Sequence, residues 1–116
     1  MEELTAAQQV AEIVSVQNRF NVGDRASQEL LDHCTEHGFG FIPWRPVADH
    51  VDDGTLAEIG KARDATPTQV ALAWLLKLSP VMLPIPGTST VAHLEENTAA
   101  AALELSDDEL ARLTRA

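Results

Sequence analysis

The chain contains no tyrosine and a single cysteine, Cys34, and its basic residues are few, eight lysines and arginines against eighteen aspartates and glutamates. Each shortage closes off a kind of chemistry. Without tyrosine, no phenol within these 116 residues can serve as a proton donor. One cysteine builds no disulfide framework, which suits a reducing cytosol. A formal charge of −10 makes the surface repel nucleic acid and anionic membranes except where local donors override it. No apolar run approaches the length of a membrane span, and the start at Met1, Glu2 and Glu3 has neither the basic nor the apolar region of a signal peptide. A cytoplasmic chain with neither a nucleic-acid nor a membrane partner is therefore expected. Its length allows one domain at most, with apolar content enough for a modest core.

What is present alternates between two periods. Glu2 to Ala11 carries Leu4, Ala7 and Val10 or Ala11 on one helical face, with two glutamates in the first turn. Ile13 to Gln17 alternates by two and reads as a strand, and Asn18 to Gly23 as a loop. Asp24 is placed to cap a helix that turns Leu30, Leu31 and Cys34 inward and stops at Gly38. Phe39 to Trp44 is a second strand bounded by glycine and proline, and Pro46 to Gly54 is a polar, acidic loop. Three capping boxes follow, at Thr55/Glu58, Thr66/Gln69 and Ser106/Glu109, each opening a helix. The second has Pro67 at the first helical position, where a missing N–H costs nothing, and points Val70, Ala73, Trp74 and Leu78 inward. The third opens a short final helix with Leu110 and Leu113 on its apolar side.

Between the second and third boxes lies the stretch with the most chemistry, Met82 to Asn97. Val81 to Ile85 reads as a short buried strand, Pro86 and Gly87 stop it, and Thr88, Ser89 and Thr90 place hydroxyls where a following helix leaves its first N–H groups unpaired. Such a turn can hold a phosphate, through the free donors and the positive end of the helix dipole. The same hydroxyls can equally well only cap the helix. Strands alternating with helices imply parallel pairing through right-handed crossovers, and the pattern alone permits a small open sheet of three strands. His33 and His37 stand four apart beside Cys34, but two imidazoles without further ligands at a recognisable spacing make no zinc site.

The wording of these segments resembles that of a known family. The runs from Pro84 to Ser89 and from His93 to Asn97 are similar to the adenosine-phosphate loop of the aldo/keto reductases, nicotinamide-dependent (β/α)8-barrel oxidoreductases. Val14 to Asn21 resembles the family's sixth strand, and Phe41 to Trp44 its seventh. The resemblance implies an α/β fold that is part of a (β/α)8 TIM barrel. It implies the C-terminal half, with about three parallel strands and flanking helices, over essentially all of 1–116. It further implies that Gln17 hydrogen-bonds the nicotinamide carboxamide and that Trp44 stacks under the nicotinamide. Gly87 and Thr88 would meet the 2′-phosphate with His93 assisting, and Glu96 and Asn97 would hold the adenine. An amide such as Gln17 donates and accepts at once, and an indole offers a flat, polarisable face. Either residue can also be an ordinary strand terminus or core side chain.

The implied cofactor is NADP(H), with NAD(H) as the alternative. The family's Tyr, Lys, Asp and His tetrad lies on earlier strands, and Cys34, His50 and His93 give no substitute for it. The resemblance thus implies no catalytic residue in this chain and inactivity of the chain alone. The partners it implies are a nicotinamide dinucleotide and either a separate N-terminal half-barrel or a second copy. The alternative is a non-catalytic nucleotide-binding or interaction module.

Overall fold

A computed structural model of the chain describes residues 1–47 and 54–115. Helix α1 spans Glu2–Gln8, strand β1 Ser15–Arg19, helix α2 Gln28–His37, strand β2 Gly40–Trp44, helix α3 Thr55–Arg63, helix α4 Pro67–Leu78, helix α5 Val91–Ala99 and helix α6 Asp107–Arg115. One 3-10 turn, Ala100–Ala102, follows α5. Strands β1 and β2 pair in parallel, with Gln17 opposite Ile42 and Arg19 opposite Trp44. The connection between them is α2, as a parallel crossover requires.

The expected third strand is reduced to a single parallel bridge between Phe41 and Met82. The Phe41 N–H donates to the Val81 carbonyl at 2.8 Å, and the Leu83 N–H donates to the Phe41 carbonyl at 2.8 Å. The ladder goes no further because Pro84 and Pro86 have no N–H to give. The segment nevertheless lies beside β2. A Cβ on Gly40 would meet Leu83 Cδ1 at 3.1 Å, so glycine there is what lets the chain pass so close.

Four sequence-based boundaries shift for local reasons. Helix α1 ends at Gln8, short of Ala11, leaving Val10 exposed. Strand β1 begins two residues later than expected and takes in Asn18 and Arg19, because the pairing with Gly40 to Trp44 sets its register. Asp24 does not cap α2, which starts after Ser27; it accepts from the Ala26 N–H at 3.3 Å and pairs with Arg19 at 3.0 Å. Thr55 is likewise the first residue of α3 and not its cap. That position falls to Gly54 at φ 96°, and Glu58 pairs instead with Arg112 of α6 at 2.8 Å. The acidic loop after Pro46 falls largely on 48–53, outside the described residues.

Other expectations hold. Thr66 accepts from the Gln69 N–H, Gln69 accepts from the Thr66 N–H, and Pro67 is the first helical residue. Ser106 and Glu109 form the same reciprocal pair at the start of α6. Each such cap contributes about 1 kcal/mol. Gly38 ends α2 in the left-handed conformation, φ 73°.

The core lies between the sheet and α4, whose residues Val70 to Leu75 are all buried. Phe20 stacks on Trp74 with centroids 6.0 Å apart and meets Phe41 edge-on at 5.8 Å. Trp74 satisfies its indole N–H at Thr114 Oγ1 of α6, at 3.2 Å. Leu31, Cys34 and Leu113 complete the packing from α2 and α6. Phe41 and Pro43 therefore point into the core, while Ser15, Gln17, Arg19 and Trp44 are exposed on the opposite face of the sheet. No helix among the described residues is long and apolar enough to cross a membrane.

Candidate functional site

The proposed cofactor residues fall into two groups. Gly87, His93, Glu96 and Asn97 line one cleft of about 160 Å³, together with Val47 and Thr68. Gln17 and Trp44 lie on the open sheet face, two register positions apart on neighbouring strands. Val47, three residues beyond the end of β2, joins the strand end to the cleft. Thr88 stands outside the cleft lining and is exposed.

The turn before α5 divides its hydroxyls between capping and free surface. Thr88 Oγ1 accepts from the Thr90 N–H at 3.2 Å, and Thr90 Oγ1 accepts from the His93 N–H at 3.3 Å as the cap of α5. Among the described residues, the N–H groups of Val91 and Ala92 find no protein acceptor. Those two donors and the positive end of α5 face solvent and remain available to an anion. Gly87 has negative φ, and a Cβ added there would meet nothing within 4 Å. It is a site of open space and not of forced backbone conformation.

Glu96 is held by α4. The Thr66 hydroxyl donates to Glu96 Oε1 at 2.6 Å, and Gln69 Nε2 donates to the Glu96 carbonyl at 3.0 Å. The sequence reveals the Thr66/Gln69 box as a helix start, but the same side chains also reach a residue 27 to 30 positions on, which no local pattern announces. Thr68 and Val47 in the cleft wall were likewise missed, having only the signal of a helix first turn and of an apolar loop residue.

At the other end, the Trp44 indole is 38% exposed, and the Arg19 guanidinium carbon lies 5.7 Å from its ring centroid. Gln17 is exposed, and its side-chain amide has no protein partner among the described residues. The histidines of α2 are not among the residues that line the cleft. His33 and His37 stack at 4.1 Å, and no cluster of three or more possible metal ligands occurs among the described residues.

The exposed sheet face carries Gln17 in the middle of β1, not at its end as expected, and Trp44 as the last residue of β2, and ligand sites of parallel α/β folds lie at the carboxyl ends of the strands. The comparisons with known proteins make that class specific. The model of the aldo/keto reductase family matches residues 1–116. An uncharacterised oxidoreductase of Schizosaccharomyces pombe is 44% identical over 116 residues, covering 97% of this chain and 38% of the relative. Pyridoxine 4-dehydrogenase of Escherichia coli is 43% identical over 113 residues, covering 96% of this chain and 40% of the relative. Among solved structures, an aldo-keto reductase from Klebsiella pneumoniae in complex with NADPH superposes with a TM-score of 0.88 at 28% identity, over 99% of this chain and 44% of that one. The chain belongs to the aldo/keto reductase family. It spans about two-fifths of the length of these curated relatives and aligns with part of their barrel.

Proposed function

We propose that this chain is the nicotinamide-cofactor-binding, C-terminal half of an aldo/keto reductase barrel, belonging to an enzyme that reduces aldehydes or ketones with NAD(P)H. The observation that carries the reading is the cleft that gathers Gly87, His93, Glu96 and Asn97 from a turn and the helix after it. Glu96 and Asn97 hold the adenine there, while Gly87, Thr88 and His93 with the free N–H groups of α5 receive the 2′-phosphate. Gln17 pins the carboxamide, and Trp44 supplies the flat surface under the nicotinamide. The cofactor itself supplies the hydride; the protein supplies its orientation.

The proton is the missing part. Hydride arriving at a carbonyl carbon leaves charge on oxygen, which a positioned acid must neutralise. The chain has no tyrosine, so in this reading the acid and its Lys, Asp and His supports come from residues outside it. The absence of tyrosine also favours the second reading, a non-catalytic nucleotide-binding module. Purified chain, supplied with NADPH or NADH and a panel of aldehydes, should bind cofactor but show no oxidation of it. Turnover should appear only when a five-stranded N-terminal half is added. Turnover by the chain alone that disappears on Trp44→Ala would contradict this account.

A further inference from the structure

Helix α5 carries both residues assigned to the adenine, yet none of its nine residues is buried. A helix so lightly packed needs some other restraint if its side chains are to hold a fixed place. The first turn of α4 provides one. Thr66 Oγ1 accepts from the Gln69 N–H at 3.2 Å and spends its single proton on Glu96 Oε1 at 2.6 Å. The Gln69 amide is fully directed as well, its oxygen accepting from the Thr66 N–H at 3.0 Å and its Nε2 donating to the Glu96 carbonyl at 3.0 Å. All these functions are used without conflict of donor and acceptor. The second carboxylate oxygen of Glu96 has no protein partner among the described residues, and Glu96 lines the cleft.

We infer that Thr66 and Gln69 are positioning residues for the nucleotide: the α4 cap doubles as the clamp that sets the Glu96 carboxylate and, through the Glu96 carbonyl, the adjoining Asn97. This rests on the adenine assignment above. The bond from the Thr66 hydroxyl ends on a carboxylate and is of the strong, charge-assisted kind.

The test separates the clamp from the cap. Thr66→Asp keeps an N-cap acceptor for the Gln69 N–H but removes the donated proton and sets like charge against Glu96, whereas Thr66→Ser keeps both functions. Calorimetric titration of the chain with ADP should show affinity falling about tenfold in Thr66→Asp and staying within about twofold in Thr66→Ser. ADP binding by Thr66→Asp equal to that of the parent chain overturns the inference. A parent chain that does not bind ADP removes the adenine assignment, and amide hydrogen exchange then decides the clamp. Faster exchange at residues 95–99 in Thr66→Asp, restored in Thr66→Ser, supports it, and unchanged exchange overturns it.

Discussion

Arg19 and Trp44 are register partners on adjacent parallel strands, and the Arg19 guanidinium lies over the Trp44 indole, 5.7 Å from its centroid, while pairing with Asp24 at 3.0 Å. The contact borders the surface assigned to the nicotinamide. Because all three side chains are solvated, its contribution to folding is small. Arg19→Ala should cost about 1 kcal/mol or less in urea denaturation, and a markedly larger loss would mean that the arginine supports the strand end itself.

Cofactor preference is predicted to be weak, since His93 is, among the described residues, the one basic side chain in the cleft lining. Gly87 has room and an unstrained φ, so Gly87→Arg is accommodated without backbone cost. Either Gly87→Arg or His93→Arg should tighten NADPH relative to NADH by about 1 kcal/mol, as an added charge-assisted contact would. Equal effects on the two cofactors would show that these positions do not meet the 2′-phosphate.

The helix pair α3 and α6 carries a pH dependence. Hydrogen bonds from Arg63, at 2.9 and 2.7 Å, hold the Glu109 carboxyl at about 2, below its usual 4.5, with further help from Ser106. The folded-state value is depressed, so the stabilisation is complete above pH 4.5 and is lost as pH falls from there towards 2. Arg63→Met should therefore lower stability across the whole range above pH 4.5, move acid unfolding to higher pH and flatten the pH dependence between 4.5 and 2. Far-UV circular dichroism across the acid range measures it.

Val14, Leu83 and Ile85 are exposed, and among the described residues the outer edge of β1 is unpaired while that of β2 is met only at the Phe41 to Met82 bridge. Open apolar edges favour association. The isolated chain is expected to form dimers or larger species in sedimentation velocity, and Leu83→Lys should shift it towards monomer. A clean monomer with cooperative melting would contradict this.

The sequence made the helices legible wherever a cap and a periodic face agreed, as at Thr66 to Leu78 and Ser106 to Leu113. It misplaced what pairing decides. Strand β1 slid by two residues to match Gly40 to Trp44, and the strand before Pro86 shrank to one bridge because its prolines offer no donors. Thr55 and Asp24 look like caps in sequence, but Gly54 and Ser27 occupy those positions. Four of the seven proposed cofactor positions meet in one cleft, and that grouping rested on the wording of a loop, since hydroxyls before a helix are ambiguous alone. The tie from Thr66 to Glu96 was invisible because it joins two helix ends that come together only in the fold.

The central claim is that one dinucleotide spans Trp44 and the cleft of Glu96 and Asn97, and the most direct measurement is tryptophan emission during titration with NADP⁺, which does not absorb where indole emits. Trp74 is buried in the core and serves as the internal reference. The account predicts a saturable fall in emission that is abolished in Trp44→Phe and competed by ADP, which alone leaves the emission unchanged. Emission that stays constant as NADP⁺ binds, or quenching that is the same in Trp44→Phe, would contradict it.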